Sequence, residues 1–388
     1  MRLESSTGLD VTVLEAVLEC GKPEARVALA RQLAMFLADP DTPRAELDQV
    51  VPVVLKITTD SDKNVRRVLA NELVTIAKLN QDIIFSILAD ENDIAIPFLL
   101  KTPALNAWHM LAVLRVGDDA RQSAIARRPD LTAEAQAHII KSGTQAAAAA
   151  VLDNSKIKFT SDDLHKIYAR FGQVGDVVER LLARPDLPID LRITQAKRAA
   201  VRMRQMMAER GWLPANDAAD IVADAEEGAV LKLLSEAQGP ERAHAFSFLV
   251  AQNMLTPSLI IRASCLGEIP VVASALGHLT GMTGPRVLEI AGSKGANGMR
   301  SIVNRSGLPI TCFAVIAAAC EVYLGAKDEG VKLDADNFGR RLLETLMTRF
   351  GGLPSKDQAR QIEYVGRFAD EPVRKIARKL RSDMLRAA

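Results

Sequence analysis

Aromatic residues are scarce in this 388-residue chain, where they make up 4% of the composition. Alanine, leucine, valine and isoleucine are abundant instead, within a hydrophobic total of 48%. Small aliphatic side chains allow helices to pack closely, whereas β-sheets are enriched in aromatic residues. No stretch of alternating polar and apolar residues is long enough to predict a sheet. The scarcity of aromatics therefore favours an all-α fold.

The chain also has little cysteine and almost no net charge. The 49 basic and 48 acidic residues leave a formal charge of +1, so no global field attracts nucleic acid or anionic lipid. The four cysteines are scattered and form no C-x-x-C pair, which argues against a disulfide framework. They are Cys20, Cys265, Cys312 and Cys320. Reduced cysteines are typical of a cytoplasmic protein.

No apolar run is long enough to predict a membrane span. The longest, Leu308–Cys320, is shorter than the roughly 20 residues that a spanning helix needs, and Pro309 and Thr311 interrupt it. The first ten residues carry acidic and polar side chains where a signal peptide has its apolar core. We therefore expect a cytoplasmic protein without a membrane span, in which Leu308–Cys320 is a buried core helix.

Two segments near the N-terminus repeat one helical pattern. Glu24–Ala38 aligns with Asn64–Lys78, and the shared apolar positions follow i, i+3, i+4, i+7 spacing, as in an amphipathic helix. The aligned pairs are Arg26 with Arg66, Leu29 with Leu69, Ala30 with Ala70, Leu33 with Leu73 and Phe36 with Ile76. A repeat of this length, with a second helix between the copies, is typical of HEAT and armadillo arrays. Such units stack on one another because none can bury its own apolar face.

A second repetition marks two turns. Ile125–Thr132 and Leu181–Pro188 share the order Arg-Pro-Asp-Leu between two helical patterns. Proline cannot continue a helix and moves its predecessor out of the αR region, so both copies predict a helix end, a turn and a new helix. The alternative is a polar site built from the arginine and aspartate of either copy. These residues are Arg128 with Asp130 and Arg184 with Asp186.

No motif points to catalysis, a cofactor or a metal. The phosphate-binding loop, the dinucleotide fingerprint and the nucleophile elbow are absent, and the five histidines have no zinc-site spacing. The glycine-rich segment Gly292–Gly298 is the nearest candidate for an anion cradle, but no strand precedes it, so a flexible connection between helices is favoured. His278 is expected in the core. The acidic stretch Asp217–Glu227 lacks the glycine turn of a calcium loop and predicts a solvated face.

The strongest binding signal is a basic helix over Arg192–Arg210, in which six cations stand against Glu209. The candidate partner-binding residues are Arg192, Lys197, Arg198, Arg202 and Arg204. Such a stripe suits an acidic protein or nucleic-acid phosphates. The alternative is a solvated face that balances the acidic stretch, and the lack of aromatics nearby argues against base stacking. The terminal helix Pro372–Arg386 has the same basic bias.

Two stretches of the chain resemble a bacterial family of unknown function. Leu255–Ile290 (LTPSLIIRASCLGEIPVVASALGHLTGMTGPRVLEI) and Ala107–Thr132 are similar to domain-of-unknown-function family 2336, known mainly from alphaproteobacteria. These motifs are helical packing patterns, so the resemblance implies a helical fold and no catalytic residue. The N-terminal copies are similar to HEAT repeats, in which aspartate and arginine form a ladder. The second copy has Asp60 and Arg66 whereas the first has only Arg26, so no continuous ladder is expected.

Together these observations predict an all-α protein in two parts: a HEAT-like α-solenoid over residues 1–210, then a second helical domain over residues 217–388. Gly211–Asn216, with its glycine and proline, is the predicted boundary. We expect a non-catalytic scaffold or adaptor of the bacterial cytoplasm that binds a protein, without a cofactor. The alternative is a nucleic-acid-binding repeat protein that uses the basic helices.

Overall fold

The computed structural model describes residues 11–210, 215–349, 355–369 and 371–387. Within these ranges the regular secondary structure is helical and no strand occurs. The predicted all-α class is confirmed.

The chain divides into two compact units, Met1–Leu187 and Pro188–Ala388. We expected the first domain to extend to residue 210, whereas the helix Ile189–Arg210 belongs to the second unit. Residues 211–214 of the expected boundary lie outside the described residues, and the next helix begins at Ala215.

Helices of the first unit pack in two alternating rows. Each even-numbered helix contacts the next even-numbered one from α2 to α12, and α1 contacts α3, α3 contacts α5, α7 contacts α9, and α9 contacts α11. The helices are α1 Val11–Cys20, α2 Pro23–Ala38, α3 Arg44–Thr58, α4 Lys63–Leu73, α5 Gln81–Leu88, α6 Asn92–Lys101, α7 Ala107–Val116, α8 Asp119–Ala126, α9 Ala133–Ser142, α10 Gln145–Asp153, α11 Ser161–Phe171 and α12 Gly175–Ala183.

Helix pairs recur at a shorter interval than the first repeat indicated. Helices α5, α7, α9 and α11 begin at residues 81, 107, 133 and 161, which are 26 to 28 positions apart. Each is opened by a side chain that accepts a hydrogen bond from a backbone N–H of its first turn. The capping residues are Asn80, Asn106, Thr132 and Thr160. These caps satisfy N–H groups that the helix itself leaves unpaired and fix each helix start.

The two aligned copies form α2 and α4, and their shared leucines are buried in one core. Leu33, Leu69 and Leu73 are fully buried and Leu29 is nearly so, as the alignment predicted. The second copy ends earlier than expected, because α4 stops at Leu73 instead of continuing to Lys78. The β-branched run after Leu73 explains this, since Val, Thr and Ile lose side-chain freedom in a helix.

The second unit packs around a central apolar helix, α19, which contacts α16, α17, α18 and α20. Its helices are α13 Ile189–Arg210, α14 Ala215–Glu236, α15 Gly239–Ala251, α16 Pro257–Cys265, α17 Ile269–Thr280, α18 Gly284–Arg305, a 3-10 turn Ile310–Cys312, α19 Phe313–Asp328, α20 Ala335–Arg349, α21 Ser355–Phe368 and α22 Glu371–Ala387. Ile310–Asp328 is long and apolar enough to cross a membrane by length and composition alone, and 61% of its apolar window is buried inside the protein.

The predicted connection at Gly292–Gly298 is shorter than expected, since α18 runs through this segment and two helical stretches meet at a kink at Gly295. Gly295 alone leaves helical geometry, with φ 51° and ψ −140°, and bends the helix there. A Cβ atom at Gly298 would lie 2.8 Å from side-chain atoms of Ile290 and Lys294, so this position requires glycine for close packing. Contacts of α18 with α17 and α19 offset the low helix propensity of glycine.

Candidate interaction surface

The basic stretch forms α13, whose two halves have different environments. Pro188 precedes the helix, and Asp190 lies in its first turn, where a negative charge interacts favourably with the helix dipole. Ile189 and Ile193 are buried in the core of the second unit. From Val201 to Arg210 the side chains are exposed, except for Met207, which is half-buried. The first half therefore anchors the helix, and the second half is presented to solvent.

The five candidate residues do not share one environment. Arg192 and Arg198 are half-buried, and each already has an interaction within the chain. Arg204 is exposed, and its Nη2 lies 4.0 Å from a carboxylate oxygen of Glu226 on α14. The remaining two, Lys197 and Arg202, are also exposed. The structure thus leaves Lys197 and Arg202 as the candidates best placed to receive an external anion.

Exposed apolar side chains accompany these cations, a feature that the sequence reasoning missed. Val201, Met203 and Met206 on α13 are 41%, 47% and 48% exposed. Ile221 of α14 is 50% exposed. Methionine is flexible and polarizable, and it is common on surfaces that adapt to a protein partner. The sequence signal for this property is the run MRQMMAER, which places three methionines among the cations.

We call Lys197, Val201, Arg202, Met203 and Met206 the α13 surface. Its members lie within ten residues of one helix and combine two open positive charges with three exposed apolar side chains. Protein interfaces typically combine apolar contact with charges that select the partner.

The acidic stretch on α14 is partly committed to a buried arginine. Arg262 is 8% exposed and forms ion pairs with Asp224 and, at 3.7 Å, with Glu227. The hydroxyl groups of Thr256 and Ser258 also donate to Glu227, at 3.1 and 2.9 Å. The expected solvated face therefore holds only in part: Asp224 is 47% exposed although it is paired, Glu227 is 24% exposed, and both carboxylates hold α14 to α16. A local sequence pattern did not reveal this pairing because Arg262 is 38 residues from Asp224.

The arginine of each Arg-Pro-Asp turn has a structural role, because it binds backbone carbonyl groups of a neighbouring helix. Arg128 is 3% exposed, and its Nη2 donates to the carbonyl of Thr102 at 2.8 Å and to Asp130 at 2.7 Å. Its Nη1 donates to the carbonyl of Leu99. The guanidinium thus caps the C-terminus of α6, where carbonyl groups lack partners within the helix. The helices on either side end at Ala126 and begin at Ala133, as the turn interpretation predicted.

The second turn repeats this arrangement with less burial. Arg184 donates to both carboxylate oxygens of Asp186 at 2.8 Å and to the carbonyl of Leu152 at 3.2 Å. Its side chain is 17% exposed. The polar sites considered as alternatives are therefore occupied by contacts within the first unit.

Two arginine–aspartate pairs connect the first three even-numbered helices, and the same pairing does not continue to α8, where Asn92 donates to Asp118 and Arg121 donates to the backbone carbonyl of Asp90. Arg26 of α2 pairs with Asp60 at 2.8 Å, and Arg66 of α4 pairs with Asp90 at 2.8 Å. Each aspartate lies in the loop before the next even-numbered helix. The first copy needs no aspartate of its own, because its arginine uses the one that follows.

Two of the five histidines have opposite environments: His278 is exposed and His109 is buried. His278 is exposed and stacks on Phe246 with ring centroids 6.3 Å apart, so its expected core position is wrong. His109 is buried instead, and its Nδ1 accepts the backbone N–H of Asn106 at 3.2 Å. Burial lowers the pKa of His109. Within the described chain no group of three His, Cys, Asp or Glu side chains could hold a metal ion.

Residues 94–354 match a protein family described as "Uncharacterised protein conserved in bacteria (DUF2336)". The matched range includes α13 and most of the second unit, but not the two aligned copies in α2 and α4. No curated protein and no solved structure matches the chain.

Proposed function

We propose a scaffold function for this chain, which belongs to the bacterial family DUF2336. In this proposal the first unit is a HEAT-like α-solenoid. The protein is a non-catalytic adaptor of the bacterial cytoplasm, and its relatives are mainly alphaproteobacterial. The α13 surface of the second unit binds a protein partner that presents acidic and apolar side chains.

The packing of the first unit supports the solenoid. Contacts between helices two positions apart, in both rows, are what stacked helix pairs produce. The ladder pairs Arg26–Asp60 and Arg66–Asp90 join neighbouring pairs in the same way twice. Stacked repeats keep a rigid surface, so a partner that binds there causes little loss of conformational entropy.

The second half of α13 is the observation that carries the docking proposal. A soluble protein tends to bury methionine and valine, yet Val201, Met203 and Met206 remain substantially exposed beside Lys197 and Arg202. An acidic segment with an apolar face would cover Arg202 and Met206, which lie one turn apart on α13, and would neutralise the charge of Arg202. Opposite charges on two partners also steer their encounter and exclude partners of the wrong sign.

Several cations of the first unit bear on the nucleic-acid alternative. Arg128 and Arg170 donate to backbone carbonyl groups at helix C-termini, and Arg26 and Arg66 pair with carboxylates. These guanidinium groups are therefore already used within the fold. Phosphate binding along this unit would require cations that remain open. The basic helices of the nucleic-acid alternative, α13 and α22, lie in the second unit, so crosslinking from α13 distinguishes the two kinds of partner.

Site-specific photo-crosslinking tests the proposal. Benzoylphenylalanine at Met203, in the full chain inside its host cell, is expected to capture a protein with an acidic segment. The matched control is Ile310, which is 55% exposed on a 3-10 turn of the same unit. Capture of nucleic acid at Met203 would favour the alternative function. Identical products at both positions would contradict a docking site on α13.

A further inference from the structure

A cleft of about 650 Å³ opens in the second unit, away from the residues of the α13 surface. It is lined by the turn between α16 and α17, the last turns of α19, the segment after it and the start of α20. Its volume lies within the roughly 300–1,000 Å³ range of sites that bind small molecules. Leu266, Tyr323, Leu333 and Phe338 provide apolar and aromatic lining.

One acidic group in this lining has no hydrogen-bond partner among the described residues. Glu268 is half-buried, and its carboxylate makes no hydrogen bond or ion pair with any described residue. Burial raises the pKa of Glu268, while the charge of Arg242 acts in the opposite direction. Arg242 itself donates to the carbonyl groups of Leu234 and Ser235, at 3.0 and 3.4 Å. The carboxylate of Glu268 therefore keeps its full capacity to accept hydrogen bonds from a ligand.

The wall beside Glu268 depends on a glycine. Gly267 has φ 79°, in the left-handed region that glycine adopts readily. A Cβ atom there would lie 3.2–3.3 Å from the ring of Phe338, so the ring packs directly on the backbone next to Glu268. Glu268 and the ring of Phe338 thus both line one cleft, with the backbone of Gly267 packed on the ring.

Other charges near the cleft are accounted for by their environment. Asp334 accepts the backbone N–H of Asn337 at 2.8 Å and also contacts its side-chain amide, so this carboxylate is committed to the first turn of α20. Lys327 and Lys332 are exposed to solvent. Among the charged side chains that line the cleft, Glu268 is half-buried and the other three are exposed, so the buried part of the lining carries a negative charge.

We propose that this cleft binds a small organic ammonium ion with an apolar body. Glu268 accepts hydrogen bonds from the ammonium group, and Phe338, Tyr323 and Leu333 contact the apolar body. Charge-assisted hydrogen bonds to a partly desolvated carboxylate are stronger than neutral ones, and an aromatic ring nearby favours a cation further. This site is independent of the partner proposed for α13.

Three probes with a common phenyl group test the charge preference in the full-length protein: phenethylamine, 2-phenylethanol and 3-phenylpropionate. Affinities are measured by ligand-observed NMR titration. Phenethylamine is expected to bind about tenfold or more tightly than the alcohol, as one charged hydrogen bond provides. Glu268→Gln is expected to remove this preference. Glu321→Gln, an exposed carboxylate of α19 outside the lining, is the matched control and should preserve it.

Two results would overturn the proposal. Equal affinity of phenethylamine and 2-phenylethanol for the parent protein would mean that Glu268 does not recognise the ammonium group. Tighter binding of 3-phenylpropionate would mean that Lys327 and Lys332 set an anion preference. Ala335→Trp provides a second measurement, because the indole would fill the cleft from an exposed position of α20. It should weaken phenethylamine binding while leaving the melting temperature unchanged, and unchanged binding would contradict the assigned location.

Discussion

Replacing Arg128 by methionine isolates the contribution of the buried guanidinium, since the side chain keeps its apolar length. In the parent, this group donates to the carbonyl groups of Leu99 and Thr102, and both residues are fully buried. Methionine leaves two buried acceptors without donors, each at a cost of about 1–3 kcal/mol. Asp130 is 51% exposed, so water replaces the arginine there at little cost.

The loss is partly offset, because the variant no longer buries a charge. We therefore expect Arg128→Met to lower the free energy of unfolding by about 2–4 kcal/mol. For a unit of this size, that loss corresponds to a melting temperature roughly 4–16 °C lower. Thermal unfolding followed by circular dichroism, together with urea titration, measures both quantities.

Arg184→Met is the matched control in the same Arg-Pro-Asp context. Arg184 is more exposed, and its bond to the carbonyl of Leu152 is longer, at 3.2 Å. A smaller loss of about 0.5–1.5 kcal/mol is expected there. Equal effects of the two substitutions, or a change below 0.5 kcal/mol at Arg128, would refute the conclusion that burial makes the first turn a structural clamp.

Three further predictions concern the cores of the two units. Leu69→Ala should lower the free energy of unfolding by about 2–5 kcal/mol, because it leaves a cavity in the core that α2 and α4 share; equal melting of variant and parent would contradict the repeat alignment. Burial lowers the pKa of His109, so the neutral ring is favoured in the folded state. The free energy of unfolding should therefore be highest above about pH 6.5 and fall as the pH decreases below that value. His109→Gln should remove this pH dependence, as urea titrations at several pH values would show. Burial raises the pKa of the Cys265 thiol and raises that of Cys320 to about 12. Iodoacetamide at pH 8 should therefore modify both thiols only after unfolding, as mass spectrometry would show. Rapid labelling of the native protein would contradict their burial.

Local periodicity predicted the elements that depend on neighbours along one helix. The spacing of Leu29 and Leu33, and of Leu69 and Leu73, placed these residues in a core, and all four are buried. The Arg-Pro-Asp turns were equally readable, because proline acts on the residues next to it. Such features need no information about distant parts of the chain.

Long-range contacts account for what the sequence analysis missed. The ladder joins Arg26 to Asp60 across 34 residues, and the acidic stretch reaches Arg262 through Asp224 across 38. Three glycines between Gly292 and Gly298 indicated a loop, yet packing against neighbouring helices keeps the segment helical except at Gly295. In each case tertiary contacts outweighed a weaker local preference.

The candidate interaction surface was predicted in part. Composition alone located the basic helix and the five candidate cations among its six. It did not distinguish the exposed Lys197 and Arg202 from Arg192 and Arg198, because half-burial depends on how α13 packs in the second unit. It also gave no weight to Met203 and Met206, since methionines in a helix more often face a core than solvent.

The most direct test of the docking proposal is a double charge reversal, Lys197→Glu with Arg202→Glu, combined with crosslinking from Met203. Both side chains are exposed, so the melting temperature should stay close to that of the parent. Like charges would then face an acidic partner, at a cost of several kcal/mol. The matched control is Lys375→Glu with Lys379→Glu, two exposed positions of the basic helix α22. We predict that the first pair abolishes the crosslinked protein and the second preserves it. Full recovery of that protein by a normally melting Lys197→Glu, Arg202→Glu variant would contradict the account.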